Sequence, residues 1–288
     1  MSGAKVALGE RLFFERRLSV TGQYSCASCH EPAHSFAQDR PVAIGATGGA
    51  LPHNAMALVN VAYNISFGWM RPRVRSLEAQ MLEPMLNEHP VELGLKGREA
   101  AVCAQLAADR AYADDFAAAF PGHPAPVTFE NVVKAIASFE RTLISGGSPF
   151  DRYVFGGEHE ALSGQAKQGM TLFFSRRAGC SGCHSGFNFS GNWRDAQGET
   201  GRASFARNGT SERPVRVPTL RNVALTAPYM HDGRFASLTA VLDHYSSLAQ
   251  AARADRRLPR VPFSAAERSA LLAFLDSLTD ETFVGRAH

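Results

Sequence analysis

The amino-acid sequence predicts a mainly α-helical protein made of two similar domains with long loops. Apolar residues recur at helical spacing along the 288-residue chain, whereas strand patterns are sparse. A segment of the first half also recurs in the second half. We assign residues 1–147 and 148–288 to the two domains, because a breaker cluster at 145–149, S-G-G-S-P, follows a predicted helix.

The repeated segment places Gly, Leu-Phe-Phe and Arg-Arg at the same offsets in both halves. It occupies residues 9–17 (GERLFFERR) and residues 169–177 (GMTLFFSRR). Each copy is followed shortly afterwards by a C-x-x-C-H motif. Two unrelated amphipathic helices would not explain that shared context, so the pattern indicates duplication of one structural unit.

Further helices are predicted from apolar spacing and from capping residues. Residues 99–118 are rich in Ala and Leu, and residues 130–144 carry apolar side chains at helical spacing, with Glu140 as a polar exception. Ser264 and Glu267 form a capping box ahead of another apolar run. These segments support the mainly α-helical fold class.

Composition excludes several classes of partner. The chain has 30 basic and 27 acidic residues, a net charge of +3, which is too mild to predict a nucleic-acid partner. No apolar run approaches the roughly 18 residues of a membrane-spanning helix. The segment from about 186 to 215 is rich in Gly, Asn, Ser and Arg and is predicted to be a long loop.

Four of the five cysteines form two close pairs. Residues 26–30 read C-A-S-C-H and residues 180–184 read C-S-G-C-H, the attachment signature of c-type haem. The two thiols add to the haem vinyl groups and the adjacent histidine ligates the iron. Zinc would require a further ligand pair, and a redox dithiol a βαβ context. The predicted attachment and ligand residues are Cys26, Cys29 and His30 for one haem, and Cys180, Cys183 and His184 for the other.

Covalent haem attachment also bears on localisation. Haem attached in this way is normally made outside the cytoplasm, so we expect a periplasmic protein. The opening residues, M-S-G-A-K, lack the apolar segment of a signal peptide. We therefore expect the signal peptide to be absent from this sequence.

The duplicated motifs and the run V-P-T-L-R-N-V-A-L-T-A-P-Y-M-H-D-G at 217–233 resemble the bacterial di-haem cytochrome c peroxidase and MauG superfamily. The segments 54–64 and 90–94 are most similar to the MbnH-type di-haem oxidases. The resemblance implies two cytochrome c-like domains, a peroxide-reactive N-terminal haem and an electron-transfer C-terminal haem.

The residue expected as the sixth ligand of the C-terminal haem is Tyr245. Ordinary peroxidases of this superfamily carry a methionine at that position, whereas MauG-type members carry a tyrosine. A phenolate is a hard anion that favours Fe(III), whereas a thioether favours Fe(II). From the residues alone, His244, Met230 and a non-ligating role for the tyrosine remain open.

The N-terminal haem is expected to have an open sixth position. Residues 44–49, I-G-A-T-G-G, contain no histidine where ordinary members often carry a removable one, although His53 lies nearby as a rival. The resemblance makes Glu92 the acid–base group above this haem, with Gln80 and Pro84 completing the distal pocket. The spacing from Gln80 to Glu92 is two residues longer than usual, which leaves Glu88 and His89 as alternatives.

The resemblance also implies residues between the haems. Trp69 corresponds to the tryptophan that lies between them and could carry electron holes. Asn54, Thr226 and Pro228 match an inter-haem Ca²⁺ site, for which hard oxygen ligands are suited.

Three functions follow as hypotheses. The first is a hydrogen peroxide-dependent oxidase that oxidises a side chain of a partner protein, by resemblance a tryptophan of a copper-binding protein that becomes kynurenine. The second is a cytochrome c peroxidase that reduces peroxide with electrons from a small redox protein. The third is an electron carrier with two saturated haems.

Overall fold

The computed structural model describes residues 1–70, 73–191, 202–203, 215–248 and 262–284. Over these residues the chain is mainly α-helical, as predicted. The helices are α1 (Gly3–Phe13), α2 (Leu77–Leu86), α3 (Glu99–Ala108), α4 (Arg110–Ala119), α5 (Phe129–Glu140), α6 (Pro149–Val154), α7 (Gly164–Phe173), α8 (Leu238–Leu248), α9 (Ala265–Asp276) and α10 (Glu281–Val284). Two short strands, β1 (Arg202–Ala203) and β2 (Val215–Arg216), pair antiparallel. Most of the predicted loop 186–215 lies outside the described residues.

Capping side chains decide where several helices begin. Ser264 accepts the backbone N–H of Glu267 and the Glu267 carboxylate accepts that of Ser264, which confirms the predicted capping box of α9. The segment 99–118 is two helices instead of one. Asp109 interrupts it because its carboxylate accepts the backbone N–H of Ala111 and caps α4.

The repeated Leu-Phe-Phe segments end α1 and α7, and their side chains divide between core and surface. Phe13 and Phe173 are buried, but the following residues, Phe14 and Phe174, are 46% and 49% exposed. One residue of each pair therefore packs inward, because neighbouring positions on a helix point about 100° apart.

Helix packing is the same in both halves. α1 lies on α5, and α7 lies on α9. A side-chain carbon on Gly9 would overlap the carbonyl of Ala135, and one on Gly169 would overlap the carbonyl of Ala270. Each pair of helices is therefore in contact backbone to backbone, which requires glycine at the crossing.

We expect Gly169→Ala to destabilise the protein, because the new methyl group would force α7 away from α9. Overpacking of this kind typically costs about 1–3 kcal/mol. Gly164→Ala in the same helix is the matched control, since nothing lies within 4 Å of its added carbon. Denaturant unfolding of both variants measures the difference, and equal stabilities would contradict the close approach.

The described hydrophobic core consists of two clusters. One is formed by residues of the first half together with Phe283, and the other lies between Phe150 and Leu278. Phe283 reaches back to pack 6.1 Å from Phe36, measured between ring centroids. The boundary between residues 147 and 148 stays a prediction, with the two clusters on either side of it apart from this C-terminal residue.

Two asparagines hold the halves together by corresponding hydrogen bonds. Asn60 and Asn222 both adopt the left-handed conformation, with φ of 58° and 57°, which asparagine tolerates. The Asn222 side chain donates to Ser35 Oγ at 2.9 Å, and Asn188 of the second half donates to the backbone oxygen of Asn60 at 3.3 Å. Each of the two asparagines therefore takes part in a hydrogen bond between the halves.

Candidate haem-binding sites

Both C-x-x-C-H motifs form a single 3₁₀ turn followed by the histidine. The backbone N–H of His30 donates to Cys26 O at 3.0 Å, and that of His184 donates to Cys180 O at 2.8 Å. All of these cysteines are free of disulfide bonds. Each turn therefore presents two thiols and one imidazole, the set that covalent haem attachment requires.

The two histidines are oriented by their backbones. Nδ1 of His30 donates to the carbonyl of Phe36 and Nδ1 of His184 to that of Phe189, both at 2.9 Å. Each ring also interacts with a second backbone group, that of Met56 for His30 and that of Pro218 for His184. With Nδ1 engaged in this way, Nε2 is the nitrogen that would bind a metal. Burial lowers the pKa of both imidazoles, so both are held in the neutral form that ligates iron.

An apolar cavity surrounds the second motif. Cys180, Cys183 and His184 lie on its wall. The rest of the lining includes Phe173, Leu242, Phe263, Leu271 and Leu275. A largely hydrophobic cavity with thiols and an imidazole on one wall fits a haem.

Arg216 provides a second test of the fit. Its guanidinium lies in this cavity, where burial lowers its pKa to about 10. Its described side-chain contact is the sulfur of Met56 at 3.9 Å, and no carboxylate of the described residues pairs with it. A buried, unpaired cation is costly, and a haem propionate would supply the missing anion. Sequence reasoning missed Arg216, although it lies directly before the run 217–233.

Tyr245 lies on α8 and faces the same cavity. Burial raises the pKa of its hydroxyl, and the nearby Cys180 and Cys183 thiols add to that rise. His244 and Met230 also line the cavity, so the structure brings all three candidate ligands together. The His244 ring lies against Phe235, with 5.0 Å between centroids.

The loop 44–50 closes onto the segment that carries Glu92. The backbone N–H of Ala46 donates to Glu92 O at 2.6 Å, and Gly45 packs directly on the Val91 carbonyl. Burial raises the pKa of the Cys29 thiol to about 11, and the Glu92 carboxylate adds to the rise. Glu92 is therefore close to the first haem-attachment motif.

The alternatives to Glu92 point elsewhere. Glu88 is exposed and forms an ion pair with Lys96, which lowers the pKa of its carboxyl. His89 is exposed as well. Of the three candidates, Glu92 is the one whose carboxylate is coupled to a haem-attachment cysteine.

Gln80 and Pro84 share one face of α2, four residues apart. Oε1 of Gln80 is buried and accepts no hydrogen bond from the described residues. Pro84 has no N–H to donate to the backbone carbonyl of Gln80. The Pro84 carbonyl accepts the N–H of Leu93, which ties α2 to the residue after Glu92. The predicted distal residues are thus joined through the backbone.

His53 packs against the C-terminal half of the chain. Its ring is 5.8 Å from that of His231, and His231 lines the C-terminal cavity. Burial lowers the pKa of His53, and His231 contributes to the decrease. The described ring contact of His53 therefore gives no support to His53 as the sixth ligand of the first haem, and the open sixth position stays a prediction.

Trp69 is held at the edge of the C-terminal cavity. Its Nε1 donates to the backbone oxygen of Asn54 at 2.8 Å, and its own carbonyl accepts the N–H of Arg216 at 2.8 Å. The Met56 backbone contacts His30 while its sulfur contacts Arg216. The segment around Met56 therefore runs from His30 to the C-terminal cavity, with Trp69 beside it.

The predicted calcium ligands Asn54, Thr226 and Pro228 also line this cavity. The side-chain nitrogen of Asn54 donates to the carbonyls of Arg40 and Pro41, so its orientation is fixed. The structure places the three residues in one region, and the Ca²⁺ site itself stays a prediction.

Fold and sites together define a protein that binds two c-type haems covalently. A family model described as di-haem cytochrome c peroxidase matches residues 3–159. The chain therefore belongs to the di-haem cytochrome c peroxidase family, whose members include MauG proteins. Its enzymatic class is that of a peroxide-dependent oxidoreductase.

Some known relatives are MauG proteins and others are cytochrome c peroxidases. The chain is 37% identical to the methylamine utilization protein MauG of Methylorubrum extorquens, over 96% of this chain and 78% of that protein. It is 34% identical to cytochrome c551 peroxidase of Pseudomonas aeruginosa, over 79% and 67% of the two chains. A solved MauG-like protein associated with microbial copper homeostasis superposes with a TM-score of 0.86 at 32% identity, covering 99% and 91% of the two chains.

The length and hydrophobicity of the helices show whether any of them could cross a membrane. None of those in the described part of the chain has the length and apolar character that crossing a bilayer requires.

Proposed function

We propose that this protein is a periplasmic di-haem oxidase that uses hydrogen peroxide to oxidise a side chain of a partner protein. The observation that carries the proposal is Tyr245, which faces the C-terminal cavity beside Cys180 and Cys183. A tyrosinate ligand would stabilise the oxidised states of the second haem. Such a site suits storage of oxidising equivalents better than reduction by a donor.

Glu92 performs the proton transfer in this proposal. The two haems, when bound, supply the sites that accept peroxide and hold two oxidising equivalents. The Glu92 carboxylate takes the proton from the inner peroxide oxygen and returns it to the outer one, so that water is the leaving group. Gln80 offers its buried Oε1 as an acceptor that helps to orient the bound peroxide.

Trp69 serves as the stepping stone between the two sites. Its Nε1–H is fixed on Asn54 O, and its ring lies 6.4 Å from that of His231 in the C-terminal cavity. An indole is oxidised more readily than an aliphatic side chain. Asn54, Thr226 and Pro228 hold Ca²⁺ in the same region and fix the relative position of these groups.

The partner is proposed to be a copper-binding protein, with a tryptophan that is converted to kynurenine. The similarity to a MauG-like protein associated with copper homeostasis supports this choice. The test is incubation of the ferric protein with peroxide and the candidate copper-binding protein, followed by mass spectrometry of that partner's tryptophans. Unmodified tryptophans after consumption of the peroxide would count against the proposed substrate.

Peroxide reduction with an external electron donor is the second candidate, because a cytochrome c551 peroxidase is among the relatives. A reduced small cytochrome c added with peroxide separates the two. Rapid catalytic oxidation of that cytochrome would favour the peroxidase, whereas an oxidase would turn over slowly with it.

We expect the ferric protein to contain one five-coordinate high-spin haem and one six-coordinate low-spin haem. The first follows from the lack of a histidine in residues 44–49 and the second from Tyr245. Electron paramagnetic resonance measures both. Two low-spin signals with no high-spin component would show that the N-terminal haem is already saturated, as in an electron carrier.

A further inference from the structure

Helices α5 and α9 correspond residue by residue. Ala135 packs under a glycine of α1 as Ala270 packs under a glycine of α7. The Leu143 carbonyl accepts an asparagine N–H, and so does the Leu278 carbonyl. Ala135 and Ala270 are 135 residues apart in the chain, and so are Leu143 and Leu278. At this offset Glu140 corresponds to Leu275.

The two residues occupy equivalent helix positions but differ in charge. Leu275 is 7% exposed and lines the C-terminal haem cavity. Glu140 is 8% exposed, and its carboxylate adds to the rise in pKa that burial gives the Cys26 thiol. Beside the first attachment motif, a carboxyl group therefore stands at the position where the C-terminal half has a leucine.

Glu140 has no local partner that would explain its burial. No hydrogen bond reaches its carboxyl group from the described part of the chain. The charged groups that face it are Arg141 from the end of its own helix and Glu78 from α2. These two pair with each other at 2.7 and 2.9 Å. Cys26 of the attachment turn interacts electrostatically with Glu140. Among the described residues, neither α1 nor α3 contributes a charge to it.

Burial raises the pKa of Glu140 to about 8, with Arg141 lowering it and Glu78 raising it. The carboxyl group is therefore largely protonated near neutral pH and ionised in mild alkali. The carboxyl group therefore titrates in a pH range where the enzyme can be studied. Its ionisation would place a negative charge beside the first haem-attachment motif.

We propose that Glu140 couples one-electron reduction of the N-terminal haem to the uptake of one proton. The electron, from an external one-electron donor, reduces Fe(III) to Fe(II), and a proton from solvent binds a carboxylate oxygen of Glu140. A nearby negative charge favours the ferric haem, so reduction makes the carboxylate easier to protonate. This inference depends on haem attachment at Cys26 and not on the identity of the protein substrate.

The experiment is spectroelectrochemical titration of the holoprotein from about pH 6 to about pH 10, on either side of the carboxyl pKa of about 8. Full coupling of one proton to one electron lowers the potential by about 59 mV per pH unit, the tenfold change in equilibrium constant per unit for a one-electron couple. We expect the high-spin N-terminal haem to approach this slope above about pH 8, where the ferric protein carries the ionised Glu140 carboxylate, and to lose it at lower pH, where the carboxyl group is protonated in both redox states. Glu140→Gln should remove the slope, and so should Glu140→Leu, which introduces the residue of the other domain.

Two further variants separate Glu140 from its neighbours. Glu78→Gln removes the half-buried partner of Arg141, and Glu92→Gln removes the predicted distal carboxyl group; both variants should keep the slope. A potential that is independent of pH in the unmodified protein would overturn the proposal without any variant. A slope that survives Glu140→Gln or Glu140→Leu, or that disappears in Glu92→Gln, would overturn it as well.

Discussion

Glu92→Gln is expected to slow the reaction of the ferric protein with peroxide by about 10²–10⁴-fold, the range typical of losing a general acid–base group. The substitution is nearly isosteric, and the backbone oxygen that accepts the Ala46 N–H is unchanged. Haem attachment and ligation should therefore be retained. Stopped-flow absorbance at the Soret band after mixing with peroxide gives the rate.

Glu88→Gln is the matched control for this experiment. Glu88 is four residues away, but its carboxylate is exposed and paired with Lys96. We expect its variant to react at the unmodified rate. If Glu88→Gln were the slow variant and Glu92→Gln the fast one, the two-residue insertion between Gln80 and Glu92 would have been placed wrongly.

Tyr245→Phe is expected to abolish the low-spin ferric signal of the C-terminal haem and to prevent storage of oxidising equivalents there. The phenyl ring preserves packing in the cavity, while the oxygen that would bind iron is lost. The reduction potential of this haem should rise, because the anionic ligand that favours Fe(III) has been removed. Electron paramagnetic resonance and potentiometry measure the two effects.

Tyr229→Phe is the control, since Tyr229 lines the same cavity but donates its hydroxyl hydrogen to Val223 O at 3.1 Å. Its variant should keep the low-spin signal. Persistence of that signal in Tyr245→Phe would instead identify His244 or Met230 as the ligand, both of which also line the cavity.

Features set by local sequence could be predicted well. The two C-x-x-C-H motifs and the capping box at Ser264 both depend on residues close together in the chain. The break at Asp109 was missed because a long run rich in Ala and Leu hides a single capping residue.

Features that depend on tertiary contacts could not be predicted. Arg216 becomes a buried cation because β2 places it in a cavity built largely by other segments. Glu140 interrupts an apolar helical face in the sequence, but the significance of that interruption appears when Leu275 is seen at the equivalent place. A sequence pattern shows that a polar residue faces inward without showing which pocket it enters.

The hydrogen bonds between the halves have a consequence for dissection of the protein. Ser35 and Asn188 each make a bond to the opposite half, and each directly precedes the residue whose carbonyl holds a proximal histidine, Phe36 or Phe189. The orientation of each imidazole is thus fixed by a loop that is hydrogen-bonded to the other half of the chain. We therefore expect that cleavage of the chain near residue 147 would leave each fragment with its cysteine pair but with a less well oriented histidine, and that both halves are needed for normal haem redox behaviour.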